Sequence, residues 1–184
     1  MPSKKLTYTA ERNRTDGDGY IKYSGTSWTV PANNKITAAQ CTINQFSSRS
    51  GAFPVSEDNG NAIVKVGFKF SDNSVYADAI KMVFTYENKI PASDSKKQVS
   101  SDIYPYTGPN MGVTITSFRL YSAQYDDTNK DLGVTLGSSM DVTIYYEEVA
   151  QSPSAPSNLK LSDNNVAPNT KVKLSWDASS ANGN

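Results

Sequence analysis

The sequence predicts an all-β fold: an antiparallel β-sandwich of jelly-roll type, followed by the first strands of a further β unit. Three observations lead there. Apolar and polar residues alternate with period two, most cleanly in Ala62–Phe70. There Val64, Val66, Phe68 and Phe70 share one face, while Lys65 and Lys69 take the other. Turn-forming clusters recur at roughly 8- to 15-residue spacing, close to the rhythm of a sandwich. No segment carries a convincing 3.6-residue period. Several long strands with unequal connections favour a jelly roll.

Residues 1–18 read as an N-terminal arm or a first strand, because Leu6–Thr9 alternates but Glu11–Thr15 has no period. The basic residues Lys4, Lys5, Arg12 and Arg14 fit a solvated tail or an arm ordered by a neighbouring subunit. Residues 19–150 form the main module. Tyr20–Tyr23 and Thr26–Val30 flank Ser24-Gly25, which reads as a two-residue hairpin turn. Lys35–Phe46 is an extended strand with one phase slip, and Ser47–Asn61 a long exposed loop. After Ala62–Phe70, Ser71–Ser74 turns the chain and Ile80, Met82, Phe84 and Tyr86 repeat the alternation. Asn88–Lys97 is a polar connection, and Val99–Tyr106 leads into a Gly-Pro turn at Thr107–Asn110. Val113 and Ile115 are out of phase with Phe118 and Leu120, so Ser117 is placed at a bulge or kink. Asp126–Asp131 is a loop, Gly133–Leu136 a short strand, and Met140, Val142, Ile144 and Tyr146 close the module.

Composition excludes several functions. Eighteen basic and eighteen acidic residues cancel, with no basic stripe of the kind that binds nucleic acid. The chain has no His and one Cys. The usual serine and cysteine triads and most zinc sites are thereby removed, and Cys41 reads as a small core residue. No apolar run is long enough to span a membrane. Met1–Ala10 lacks the apolar core of a Sec signal.

Residues 151–156 are a Pro/Ser linker, and 157–184 contain two apolar runs, Leu159/Leu161 and Val172/Leu174/Trp176. Ser154–Leu161 followed by Thr170–Trp176 resembles the opening of a fibronectin type III domain: a Pro, a short strand, then a strand ending in a core Trp. The resemblance covers about the last 30 residues, less than a third of such a domain, so 157–184 is expected to be an incomplete one. It implies a spacer or adhesive role in an exposed chain. An exposed chain without a Sec signal or a disulfide is similar in design to a bacteriophage virion protein, assembled in the host cytoplasm and released by lysis. The expected function is therefore a non-enzymatic structural or adhesive component of a tail, tail fibre or head fibre. Its expected partners are other virion proteins, further copies of itself and a cell-surface glycan. The alternative is a carbohydrate-binding module with a fibronectin-like spacer in a secreted bacterial polysaccharide-degrading enzyme.

Two kinds of site stand out. Asp127, Asn129 and Asp131 place oxygen ligands at positions 1, 3 and 5 of a calcium loop. Leu132 and Ser138 stand where an EF-hand needs Gly and Glu, so a polar hairpin loop is the preferred reading and no cofactor is expected beyond that Ca2+ option. Asp16 and Asp18 share the pattern with fewer ligands. The adjacent carboxylates Glu57-Asp58, Asp126-Asp127 and Glu147-Glu148 lie in or beside polar segments, and neighbours on a strand face opposite ways. No catalytic pair is expected. Among the tyrosines, Tyr104 and Tyr106 beside the Gly-Pro turn, with Tyr125, are the candidate contacts for a sugar or partner. Tyr121, Tyr145 and the Tyr20/Tyr23/Trp28 group are further aromatics, read mostly as half-buried strand residues.

Overall fold

The computed structural model describes residues 1–15, 17–49, 51–150, 157–161 and 174–177. Two compact units divide the chain, Met1–Glu148 and Val149–Asn184. The first contains β1 (Ser3–Ala10), β2 (Tyr20–Thr29), β3 (Asn34–Ser48), β4 (Ala62–Phe70), β5 (Val75–Phe84) and β6 (Lys97–Ser100). After these come β7 (Tyr104–Pro105), β8 (Thr114–Tyr121), β9 (Ala123–Tyr125), β10 (Thr128–Lys130), β11 (Leu132–Val134) and β12 (Ser139–Glu148). One 3-10 turn, Glu57–Asn59, is the only helical element among the described residues.

All twelve strands pair antiparallel in one folded-over sheet. One layer runs β5-β4-β8-β2, with β9 and β10 extending beside β4. The other runs β1-β12-β3, with β6, β7 and β11 also on β3. The layers join where β1 meets β2 at only two positions, Thr9 opposite Ser24 and Ala10 opposite Tyr23. Beyond that corner the strands part and the inner faces close on each other. Tyr8 stacks on Phe118 with centroids 4.4 Å apart. Phe46 of β3 meets Phe84 of β5 at 6.0 Å, and Cys41 Sγ lies 3.9 Å from Met82 Sδ. Those contacts make it a sandwich: the long strands bury one set of side chains between the layers.

The N-terminal segment is a strand and not an arm. Leu6, Tyr8 and Ala10 are buried, and β1 pairs with β12 from Ser3–Tyr145 to Thr9–Ser139. Lys5 meets the Asp141 carboxylate at 3.0 Å, and Thr7 Oγ1 donates to it at 2.6 Å.

Ser24-Gly25 is not a turn. β2 runs straight through it, with a bulge between Ser24 and Trp28. A Cβ on Gly25 would lie 2.5 Å from Tyr8 Cδ1, so the glycine makes room for the ring reaching across the core. The Tyr8 hydroxyl then donates to Thr26 O at 2.8 Å. The expected single slip in β3 is two: Ile36 and Ala39 are both buried, and so are Ile43 and Phe46. The first slip accompanies the Tyr145/Tyr146 bulge; at the second, Gln45 has φ of 55°. The kink near Ser117 is present, since β4 and β8 shift register between Lys69 and Phe70.

Segment 47–61 is less exposed than its composition implies. Ser47 and Ser48 end β3 and are buried, and Phe53 is anchored by paired backbone bonds with Ile90. Asp126 and Asp127 form a tight turn with φ of 46° and 59°. Residues 123–130 are thus a β-hairpin.

Cys41 sits in the interior, and burial pushes its thiol up to about 12. The native chain is expected to resist dithionitrobenzoate and to react with one equivalent after denaturation. Native labelling as fast as that of the denatured chain would contradict this burial.

In the second unit, β13 (Ser157–Leu161) pairs antiparallel with β14 (Leu174–Asp177). Asn158 Nδ2 donates to Asp177 Oδ2 at 2.5 Å. Trp176, placed in a core by the fibronectin resemblance, is 57% exposed. The Pro/Ser linker 151–156 lies outside the described residues.

Candidate functional site

Alternation decides which side chains reach the outer face of the β5-β4-β8-β2 layer. With Val64, Val66 and Phe68 turned inward, β4 presents Lys65 and Gly67 outward. By the same rule β8 presents Arg119 and Tyr121, and β2 presents Tyr20 and Lys22. Register puts these in rows. Lys22, Arg119 and Gly67 lie side by side, Tyr20 faces Tyr121, and Gln124 of β9 faces Ile63.

Gly67 shapes this face. A Cβ there would meet Tyr121 Cε2 at 2.9 Å and the β5 backbone at Ala77 Cα and Tyr76 O, both at 3.0 Å. The missing side chain lets the Tyr121 ring settle against β4. Tyr20 lies 5.9 Å from that ring at 54°, and Arg119 stacks over Tyr20 at 4.3 Å. Three further cations on or beside this face are paired. Lys65 meets Asp78 at 3.0 Å, Arg12 meets Asp18 at 2.5 Å, and Lys22 meets Glu11 at 2.9 Å. Hydrogen bonds from Ser24 and then Lys22 hold the Glu11 carboxyl below its ordinary range.

At the β9/β10 end the face becomes a groove of 330 Å³, lined by Tyr121, Ser122, Gln124, Asn129, Lys65 and Asp18 among others. Among the described residues, the side chains of Tyr121, Ser122, Gln124 and Asn129 form no hydrogen bond within the chain. The groove therefore offers an aromatic face ringed by neutral groups that both donate and accept.

The predicted aromatic contacts are placed elsewhere. Tyr106 is 6% exposed, stacked on Phe68 at 5.6 Å and edge-on to Tyr76 at 5.3 Å. Its hydroxyl donates to Pro109 O at 2.9 Å. The Gly-Pro turn closes over these rings: a Cβ on Gly108 would fall 2.4 Å from Tyr76 Cδ1. Tyr106 is thus a core residue. Tyr104, on β7 opposite Ala39, is half-buried against the core. Tyr125 packs beside Phe53 at 6.2 Å. The three do not form one platform.

The predicted calcium ligands are spread along the hairpin. Asp127 is in the turn, Asn129 sits on β10 opposite Gln124, and Asp131 is paired with Arg49 at 3.1 Å. Among the described residues, no three His, Cys, Asp or Glu side chains converge as a metal-holding group. Of these candidates only Asn129 joins the groove. The sequence signal for the groove was Gly67, a lone glycine inside an otherwise regular strand, which marks close approach by another group.

No protein-family model matches the chain, and no curated protein matches it. Among solved structures, it is similar to a chain in the structure of infectious bursal disease virus, Gx strain, at 13% identity and a TM-score of 0.30. That match covers 81% of this chain and 37% of the virus chain, so this chain spans little more than a third of it. Overlap this loose carries no argument about function.

Proposed function

We propose that the chain is a non-enzymatic structural and adhesive component of a bacteriophage particle, a tail, tail-fibre or head-fibre protein. In this reading the 1–148 module docks and binds, and the following β unit reaches outward. The observation that carries it is the outer face of the β4/β8 layer, where aromatic and unpartnered polar groups gather beside Lys65 and Asp18, each held in an ion pair. Such a face suits non-covalent recognition. Two features support the setting. The lone thiol is buried in the core, so the fold needs no oxidising compartment. Strand β5 pairs only with β4 among the described residues, leaving an edge for a neighbouring subunit.

The groove also favours the second reading, a carbohydrate-binding module of a secreted enzyme. Light scattering on the 184-residue chain separates them. A discrete homo-oligomer is expected of the particle component. A strict monomer that binds soluble polysaccharide would transfer the assignment to the carbohydrate-binding module.

A further inference from the structure

We propose that the groove at the β4/β8/β9/β10 end is a binding subsite for a neutral saccharide, stacked on Tyr121 and hydrogen-bonded by Gln124 and Asn129. This rests on the adhesive reading above and gives it a ligand class.

The floor comes first. Tyr121 is half-buried and held against β4 because position 67 has no side chain. A pyranose ring has one face of C–H groups, and a fixed aromatic ring offers that face a large contact at little entropic cost. The walls come second. Gln124 and Asn129 lie opposite each other on β9 and β10, are exposed, and have no internal partner among the described residues. Each amide carries donors and acceptors, matching hydroxyls that need both. Ser122 and the Tyr121 hydroxyl add two more groups of the same kind.

Charge selects a neutral ligand. The two ionic groups at the groove, Lys65 and Asp18, are matched by Asp78 and Arg12 at 3.0 and 2.5 Å. The nearby Arg119 guanidinium lies on the Tyr20 ring. The groove's own lining thus presents no uncompensated charge, which suits a hydroxylated neutral ring. Size agrees as well: 330 Å³ is at the small end of ligand sites and suits one or two sugar rings.

The test titrates the full chain by calorimetry with maltohexaose, cellohexaose, N-acetylchitohexaose and mannohexaose, with hyaluronan oligosaccharide as the anionic comparison. At least one neutral glycan is expected to bind. Tyr121→Ala and Asn129→Ala are each expected to weaken it about tenfold or more, a factor of ten being the smallest shift that marks a principal contact. Tyr121→Phe should retain most of the affinity. Asn129 is exposed, so its variant serves as the fold-neutral control, checked by an unchanged thermal midpoint. Absence of binding by every neutral glycan overturns the proposal, as does preference for the anionic one or binding that survives both alanine variants. Light scattering on the same samples keeps the two readings apart: a defined oligomer without glycan binding removes the subsite and leaves the particle assignment standing.

Discussion

Replacing Tyr8 with alanine is expected to destabilise the 1–148 module by about 4 kcal/mol, among the largest effects of any single substitution. Removing a buried aromatic side chain typically costs about 3–5 kcal/mol through lost transfer energy and the cavity left behind. Tyr8 is 1% exposed and stacked on Phe118. Its hydroxyl also donates to Thr26 O at the β2 bulge, a bond the truncation removes. Set against the roughly 5–15 kcal/mol of an ordinary domain, such a loss leaves a marginal fold. Urea denaturation followed by circular dichroism measures it. Gly25→Ala supplies the second leg. Alone it should cost about 1–3 kcal/mol by forcing a methyl into the Tyr8 ring; combined with Tyr8→Ala it should cost far less. Simple additivity would show that Gly25 is needed for the backbone and not for the ring.

Alkali should unfold the module cooperatively. Burial pushes the Tyr8 phenol and the Cys41 thiol up to about 12 each, and raises the Tyr23 and Tyr106 phenols above their ordinary value. All four are neutral in the fold. In the unfolded chain the thiol ionises near 9 and the phenols near 10. Above those values the unfolded state binds fewer protons than the folded one, so stability falls as pH rises. The contribution is fully present below about pH 9 and is lost toward pH 12. Each group removes about 1.4 kcal/mol per pH unit once its unfolded form has ionised, so four together exhaust a typical stability within one to three units. The share of tyrosinate absorbance that belongs to Tyr8, Tyr23 and Tyr106 should therefore appear only with the loss of near-ultraviolet dichroism. Smooth titration of every tyrosine near pH 10 with the fold intact would contradict this.

Local pattern carried the fold class. Val64, Val66 and Phe68 announce a strand facing a core, and Met140, Val142 and Ile144 do the same for the last one. Misreadings arose where a residue answers to something distant in sequence. Ser24-Gly25 looks like a hairpin turn, yet Gly25 is small because Tyr8 needs the space. Tyr106 sits beside a Gly-Pro turn and looks solvent-facing, but Phe68 and Tyr76 hold it inside. The groove was legible only in fragments. Tyr121, Gly67 and Asn129 come from three parts of the chain, and nothing local says that Tyr121 will rest on Gly67. In the sequence Asn129 draws notice for its oxygen in a candidate metal loop; its place in the groove follows from the hairpin, which turns on Asp126 and Asp127.

The pairing of β1 with β12 also bears on how the module is made. Thr7 and Asp141, joined by a hydrogen bond, are 134 positions apart. On the ribosome the first strand emerges long before its partner, and Leu6 and Tyr8 wait without a sheet to enter. Non-local pairing of this kind slows folding, because chain entropy is lost before the contact is gained. A nascent chain interrupted before Ser139 would leave the long edge of β1 unpaired and the core unfinished, a species prone to aggregate. Synthesis of β12 is thus the event that licenses folding of β1.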